Sequence, residues 1–376
     1  MGERVLVTGG AGFIGSHLVD ALVRAGHEVR VFDNLEPQVH GGLREQGAWP
    51  AYLCPDCEQV FGDVRDRDAL RRAVRDIDVV FHEAAAVGVG QSMYEVEHYV
   101  DTNTRGTAML LDVLVNERHN IRKLVVASSM SIYGEGKYWC PKCGAVYPKL
   151  RSTADMAVGD WEMHCPACGQ KVEPRPTDED KPLCATSIYA ITKKDQEEMC
   201  LAVGRVYGIP TVALRYFNTY GSRQALSNPY TGVAAIFSGR LLNGHPPVIF
   251  EDGYQSRDLT HVSDIVQANL LAMTCDEMNY GAYNVGTGRS LTILDVAQAL
   301  IGYMASDLVP EVTHQFRAGD IRHCFADIGR ISGLGYAPQV SFEEGVAELM
   351  EWVWSETPRD GFEGAQAELA RHGLTA

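Results

Sequence analysis

The sequence predicts an α/β fold, a doubly wound parallel sheet covered by helices on both faces, with a smaller second domain toward the C-terminus. Three observations predict it. The chain opens on a β-branched run that ends in glycines, "RVLVTGG" (residues 4–10). Apolar strand patterns then alternate with helical ones through the first two hundred residues. The 376 residues, 45% hydrophobic and 22% charged, have the composition of a soluble globular protein and are enough for one large domain or two ordinary ones.

The first run is followed by "FIGSHLVDALVRAGH" (13–27), with Ile14, Leu18 and Leu22 at helical spacing, and then by a second strand, "EVRVFDN" (28–34). Strand, glycine loop, helix, strand is the opening of a Rossmann unit. Gly9, Gly12 and Gly15 let the backbone approach a pyrophosphate at the helix N-terminus, where free N–H groups and the helix dipole favour anions. Asp33 closes the second strand. A carboxylate there accepts hydrogen bonds from both ribose hydroxyls and repels a 2′-phosphate, which predicts NAD over NADP. Outside this context Asp33 would be a turn residue. Further strands read as "IDVVFHEAAA" (77–86), "KLVVASSMSIYG" (123–134) and "TVALRYFNTYG" (211–221).

Ser128, Ser129 and Ser131 fall at the carboxyl end of one of these strands, and Tyr189 and Lys193 lie four apart in the helical stretch "SIYAITKKDQEE" (187–198). That spacing puts both side chains on one helix face. A phenol with a pKa of about 10 is a poor base at neutral pH. A neighbouring ammonium and a cationic nicotinamide ring favour its phenolate, and a serine hydroxyl holds the reacting alcohol or ketone in place. Taken alone, such a Tyr–Lys pair is a solvated helix face; the glycine loop and the serine-rich strand end give it another meaning.

Ten motifs stand in order: "TGGAGFIG" (8–15), "GDVRD" (62–66), "HEAAAVGVGQS" (82–92), "DTNTRGT" (101–107), "SSMSIYG" (128–134), "YAITK" (189–193), "LRYFNTYGSRQ" (214–224), "YQSRDLTHVSDIVQAN" (254–269), "YNVGTG" (283–288) and "FRAGDIRH" (316–323). With them the chain resembles the extended short-chain dehydrogenase/reductases that act on nucleotide sugars. The resemblance implies Ser129, Tyr189 and Lys193 as the catalytic set. It implies Asp63 and Val64 beside the adenine, Ala84 and Ala86 along the cofactor groove, and Phe13, Ile14, Asn34, Asn103 and Tyr216 as further cofactor contacts. Ser131 and Asn218 would meet the sugar nucleotide, and Arg257 and Arg317 would clamp its diphosphate, which suits bidentate guanidinium recognition. It also implies an NAD-binding domain over residues 1–217 and a substrate-binding part over 218–376, with late strands such as "AYNVG" (282–286) returning to the sheet, and a homodimer.

Three outcomes are common in this branch: epimerisation, dehydration and net oxidoreduction. Dehydratases of the group resemble one another in an acidic string after the catalytic Ser/Thr. Here that string is Ser129-Met130-Ser131, which offers no acid. The resemblance therefore implies epimerisation at C4, in which a 4-keto sugar turns and takes the hydride back on its other face while NAD stays bound. A UDP-hexose 4-epimerase is the runner-up, and a non-catalytic NAD- or nucleotide-sugar-binding regulator is the reading from another class.

Residues 136–176 interrupt the pattern with two Cys-Pro-x-Cys knuckles, Cys140/Cys143 and Cys165/Cys168, separated by 21 residues. Four thiolates in this arrangement suit tetrahedral Zn²⁺ and leave no open position for catalysis, so the predicted metal is structural. The insert reads as too polar for a core of its own, and its place between Ser129 and Tyr189 predicts that it covers or shapes the sugar pocket. It is similar to the insert of dTDP-L-rhamnose 4-epimerases, which implies the dTDP-L-rhamnose/dTDP-6-deoxy-L-talose pair as substrates. Five Lys/Arg against four Asp/Glu over 137–173 make no basic patch for nucleic acid. Cys54-Pro-Asp-Cys57 is a third knuckle, open to metal binding with His40 or another chain, a reversible disulfide or plain packing. Cys184, Cys200, Cys275 and Cys324 lack ligand spacing and read as small apolar groups.

A net charge of −16 disfavours nucleic acid and anionic membranes as partners. No apolar run approaches the ~20 residues of a membrane helix. With the first residues entering a strand directly and the cysteines in ligand-type pairs, the reading is cytoplasmic.

Overall fold

A computed structural model describes residues 2–317 and 319–375. The strands β1 (Arg4–Thr8), β2 (Glu28–Asp33), β3 (Glu58–Phe61), β4 (Val79–His82) and β5 (Lys123–Ser129) come first. An insert follows with β6 (Lys137–Cys140), β7 (Gly144–Val146) and β8 (Glu173–Arg175), and then β9 (Thr211–Tyr216). Beyond it lie the short strands β10 (Asn218–Tyr220), β11 (Val248–Ile249), β12 (Ser256–Arg257) and β13 (Leu259–His261), and then β14 (Ala282–Val285). Seven of these form one sheet in the order β14-β9-β5-β4-β1-β2-β3, parallel throughout. The order reverses at β1, between β2 and β4, and a crevice opens there at the carboxyl ends of the strands.

Alternation along the strands explains the two cores. Val5 and Val7 face the helices Phe13–Arg24 and Val262–Thr274, packing with Leu18, Leu22 and Ile265. Leu6 and Val80 face the other way, packing with Leu110 and Leu114 of the helix Gly106–Asn116 and with Leu201 of the helix Ile188–Tyr207. A third core, with Ala235, Val296 and Val346, holds together the helices Val233–Leu242, Ile293–Tyr303 and Phe342–Val353 of the C-terminal part.

The insert is a three-stranded antiparallel sheet in the order β7-β6-β8. The sequence reading denied it a core, and the structure corrects this. Tyr138, Val146, Met163 and Val172 pack with Cys140 and Cys165. The apolar residues are too far apart in sequence to show a period, and only the knuckle turns bring them together.

His82 ends β4, fully buried, with one ring nitrogen 2.8 Å from the Thr8 hydroxyl and the other 2.9 Å from the Thr107 hydroxyl. Thr107 spends its proton on the Asn103 carbonyl, so it accepts from His82 Nε2–H, and Thr8 donates to Nδ1. Burial, with the Lys193 charge adding to it, lowers the pKa of His82 to about 3. The unfolded chain takes up this proton below the ordinary histidine value of 6.5, and the folded chain does so only near 3. The stability His82 contributes is complete above pH 6.5 and is lost as pH falls toward 3. In urea unfolding between pH 7 and 4, wild type should lose up to about 1.4 kcal/mol per pH unit more than His82→Gln, which keeps a neutral polar side chain. Parallel pH curves for the two proteins would contradict this.

Candidate active site

The helix Ile188–Tyr207 starts on Ser187, whose hydroxyl accepts the Ala190 N–H at 3.1 Å. Its four-residue spacing aligns Tyr189, Lys193 and Glu197 along the face turned to β5 and β9. Glu197 is pinned deepest: Arg215 of β9 reaches it through Nη2 at 2.6 Å and Nε at 3.0 Å, and Ser128 of β5 donates to it at 2.6 Å. Lys193 donates to the Ala127 carbonyl at 2.9 Å. Ser92 Oγ accepts the Tyr189 N–H at 3.0 Å.

The reacting groups are drawn from water. Burial raises the pKa of the Tyr189 phenol, and a hydrogen bond from Ser129 works in the opposite direction. The Ser131 hydroxyl lies 2.9 Å from Ser129 Oγ. Burial lowers the Lys193 pKa to about 8 against the pull of Glu83. Glu83, which follows β4 within the motif "HEAAAVGVGQS" and has no role implied by the resemblance, is pushed up to about 7 by burial, opposed by a 2.9 Å bond from the Tyr216 hydroxyl and by Lys193. The signal available in the sequence was a charged residue at the end of an otherwise apolar strand.

At the other end of the crevice, Gly9 takes φ +69°, and a Cβ there would lie 2.8 Å from the Ala84 backbone. A Cβ on Gly15 would lie 2.2 Å from the Gly9 carbonyl oxygen. Only glycine allows this tight turn, which sets the start of the helix Phe13–Arg24 at the crevice with no side-chain cap on its first turn. Asp33 holds the Ala11 N–H on one carboxylate oxygen (3.0 Å) and the Leu35 N–H on the other (2.8 Å). An uncapped helix start beside a strand-end carboxylate fits the phosphates and ribose of a dinucleotide such as NAD.

One cavity of about 800 Å³ joins the two ends. Its walls include Gly9, Gly12, Phe13, Ile14, Gly15, Asp33, Asn34, Val64, Ala84, Ala86 and Tyr216. They also include Ser129, Ser131, Tyr189, Lys193, Asn218, Arg257 and Arg317. Asp63 and Asn103 do not line it. Burial would raise the Asp63 carboxyl, but the Arg65 guanidinium and the Asn34 amide hold it near 2. Asn103, wholly buried, clamps the Ala86 N–H (2.7 Å) and carbonyl (3.0 Å) and so fixes the groove from behind. No residue of the insert is in the wall, against the expectation that it covers the pocket. The helix Phe362–Arg371 closes one side through Phe362, Ala365, Gln366 and Leu369.

The sulfurs of Cys140, Cys143, Cys165 and Cys168 all lie within 4.8 Å of one another, Cys140 and Cys168 at 3.6 Å. Ligands about 2.3 Å from a tetrahedral zinc are about 3.8 Å apart, so this cluster could hold a metal ion. Gly144 (φ +80°) and Gly169 (φ +75°) close the two knuckles. Cys57 packs in the sheet core and donates to the Cys54 carbonyl at 3.0 Å, and among the described residues no third ligand joins this pair.

A parallel sheet with a glycine turn at its switch point, and a serine, tyrosine and lysine converging on the same crevice, define a dinucleotide-dependent enzyme that acts on an alcohol or ketone. Residues 5–153 and 165–286 match the NAD dependent epimerase/dehydratase family, and the chain belongs to that family. It is 32% identical to a dTDP-L-rhamnose 4-epimerase of Burkholderia thailandensis, over 95% of this chain and 97% of that protein. Among solved structures it is similar to a UDP-N-acetylglucosamine 4-epimerase of Methanobrevibacter ruminantium (32% identity, TM-score 0.75, 95% and 99% of the two chains). It is also similar to the Thermus thermophilus UDP-glucose 4-epimerase in complex with NAD (29% identity, TM-score 0.73, 94% and 100%).

The Glu197–Arg215 pair supports the helix that carries Tyr189, and both side chains are at most 7% exposed. Removing one charge strands the other in the interior. Glu197→Gln should destabilise the protein by about 3 kcal/mol or more in denaturant titration; a loss below about 1 kcal/mol would show that the pair does not anchor the helix.

Proposed function

We propose that this chain is a nucleotide-sugar 4-epimerase that works with bound NAD, and that its substrates are dTDP-L-rhamnose and dTDP-6-deoxy-L-talose. The observation that carries the reaction is the convergence of Ser129, Tyr189 and Lys193 on one buried crevice that also holds the glycine turn. The thymidine sugar is supported by the Burkholderia thailandensis relative and by the cysteine insert. An UDP-hexose pair is the second reading, supported by the uridine-nucleotide epimerases of similar fold.

In this reading Gly9, Gly12, Phe13, Ile14, Gly15, Asp33 and Asn34 hold the adenosine and pyrophosphate of NAD, and Val64, Ala84, Ala86 and Tyr216 line its groove. When bound, NAD supplies the hydride acceptor. Ser129 orients the sugar's 4-hydroxyl, and the Tyr189 phenolate takes its proton and later returns it to the 4-keto oxygen. Lys193 supplies positive charge that favours the phenolate against its burial. Ser131 and Asn218 contact the sugar, and Arg257 and Arg317 hold the diphosphate. Arg257 is already aimed by donating to the Ser256, Ile321 and Arg322 carbonyls. Met130 and Ser131 offer no acid for eliminating water, which favours epimerisation over dehydration.

The same reading assigns residues 1–217 to NAD binding and 218–376 mainly to substrate. It assigns a structural Zn²⁺ to the four clustered cysteines. It also assigns a homodimer, supported by the exposed apolar side chains of Val96, Val100 and Ile191.

Incubation with a panel of dTDP- and UDP-sugars, followed by NMR of the products, should show interconversion at C4 for dTDP-L-rhamnose; conversion of UDP-hexoses alone would overturn the substrate choice. Tyr189→Phe should retain NAD and lose at least about a hundredfold in kcat, and near-wild-type turnover would sink the proton-acceptor role. Metal analysis of protein purified without added metal should find about one zinc per chain. Cys165→Ser should lower that content while the main unfolding transition stays in place; zinc that survives loss of all four cysteines would refute the ligand set.

A further inference from the structure

The cysteine insert stays out of the cavity, yet it is fastened to the cavity wall by buried charge. Arg151 of the insert, 3% exposed at its side chain, donates to both oxygens of Glu251 at 2.7 and 2.8 Å. Its Nη2 also lies 3.3 Å from the Asp320 carbonyl oxygen. Glu251 and Asp320 both line the cavity. Asp320 holds the Arg317 guanidinium at 2.9 Å, and Phe250, the residue before Glu251, packs its ring centre 4.7 Å from it.

Glu251 sits at φ +57°, a left-handed conformation that costs a non-glycine residue on the order of 1 kcal/mol or more. Such a residue persists only where its surroundings over-determine it. Here the surroundings are two arginines: Arg151, and the fully buried Arg322, which reaches Glu251 at 3.0 Å. Arg322 also bonds Asp252 at 2.7 Å and Glu162 of the insert at 2.6 Å. Glu162 stands three residues before Cys165 and next to Met163 of the insert core. Folding of the knuckles therefore decides where Arg151 and Glu162 stand.

We propose that Arg151 is a positioning residue for substrate: through Glu251 and the Asp320 carbonyl it fixes the wall segment that presents Arg317, so that order in the cysteine insert sets affinity for the nucleoside diphosphate. The proposal rests on the reading of Arg317 as a diphosphate ligand. The insert thereby acts on the sugar-nucleotide end of the cavity and leaves the glycine turn, at the other end, untouched.

The test is calorimetric titration of the full-length protein with dTDP and with UDP, alongside NAD, for wild type, Arg151→Gln, Arg151→Lys and Arg317→Ala. Arg151→Gln should weaken nucleoside diphosphate binding about tenfold or more with NAD affinity unchanged, and raise KM for the sugar nucleotide more than it lowers kcat. Arg151→Lys, which keeps the charge but loses the fork, should recover part of the loss. If Arg317→Ala weakens binding and Arg151→Gln does not, the positioning role is refuted while the substrate reading stands. If Arg317→Ala itself has no effect, the substrate reading at that residue falls, and the proposal with it. Equal losses of NAD and diphosphate affinity in Arg151→Gln would mean general destabilisation and would also refute it. Should Arg151→Gln not fold, Glu162→Gln loosens the insert's other attachment, and the same selective loss is expected; unchanged diphosphate affinity there would count against the proposal.

Discussion

The site depends on keeping an ammonium and a phenol out of water at the carboxyl edge of a parallel sheet. Burying a charge of this kind costs several kcal/mol unless something answers it. Lys193 is 3% exposed, and its ammonium meets the Ala127 carbonyl. The same burial that makes Tyr189 a poorer acid makes it sensitive to every charge brought near it. The surroundings are organised for this purpose. Glu197 and Arg215 hold the helix against the sheet, Ser92 caps Tyr189 at the backbone, and Glu83 balances Lys193 from the end of β4.

The sheet topology places such a site at the point where the strand order reverses. The strand order reverses beside β1, so the glycine turn after β1 and the ends of β4, β5 and β9 open into one crevice. The C-terminal part returns a strand, β14, to the sheet edge and lays its own core over the far side of that crevice. The wall residues Phe250, Glu251, Arg257, Arg317 and Asp320 belong to this part, and Arg151 of the insert bonds Glu251 and Asp320 from outside. The chain thus separates three tasks. One end of the cavity is shaped for a dinucleotide, its middle carries the reacting groups, and its other end is framed by Arg257, held by three backbone carbonyls, and Arg317, held by Asp320.

What was legible in the sequence was local chemistry. A glycine turn before an amphipathic helix, a Tyr and Lys one helical turn apart, and two cysteine knuckles each state their geometry within about thirty residues. What was not legible depends on contacts between distant segments. Asp63 and Asn103 carry the right chemistry for a cofactor contact, but their side chains are engaged by Arg65 and by the Ala86 backbone, and neither residue lines the cavity. The insert's core and its distance from the cavity follow from how 138, 146, 163 and 172 meet. The role of the helix Phe362–Arg371 follows from its packing against the loop at Gly90, which no periodicity reveals.

In the proposed reaction the hydrogen at C4 leaves and returns inside this crevice while Tyr189 handles only the hydroxyl proton. Conversion of dTDP-L-rhamnose carrying deuterium at C4, in ordinary water, tests it directly by NMR of the product. Retention of the deuterium at C4 of the epimer is the predicted result. Its replacement by solvent hydrogen would contradict the account, because it would mean that the carbon itself exchanges a proton with water.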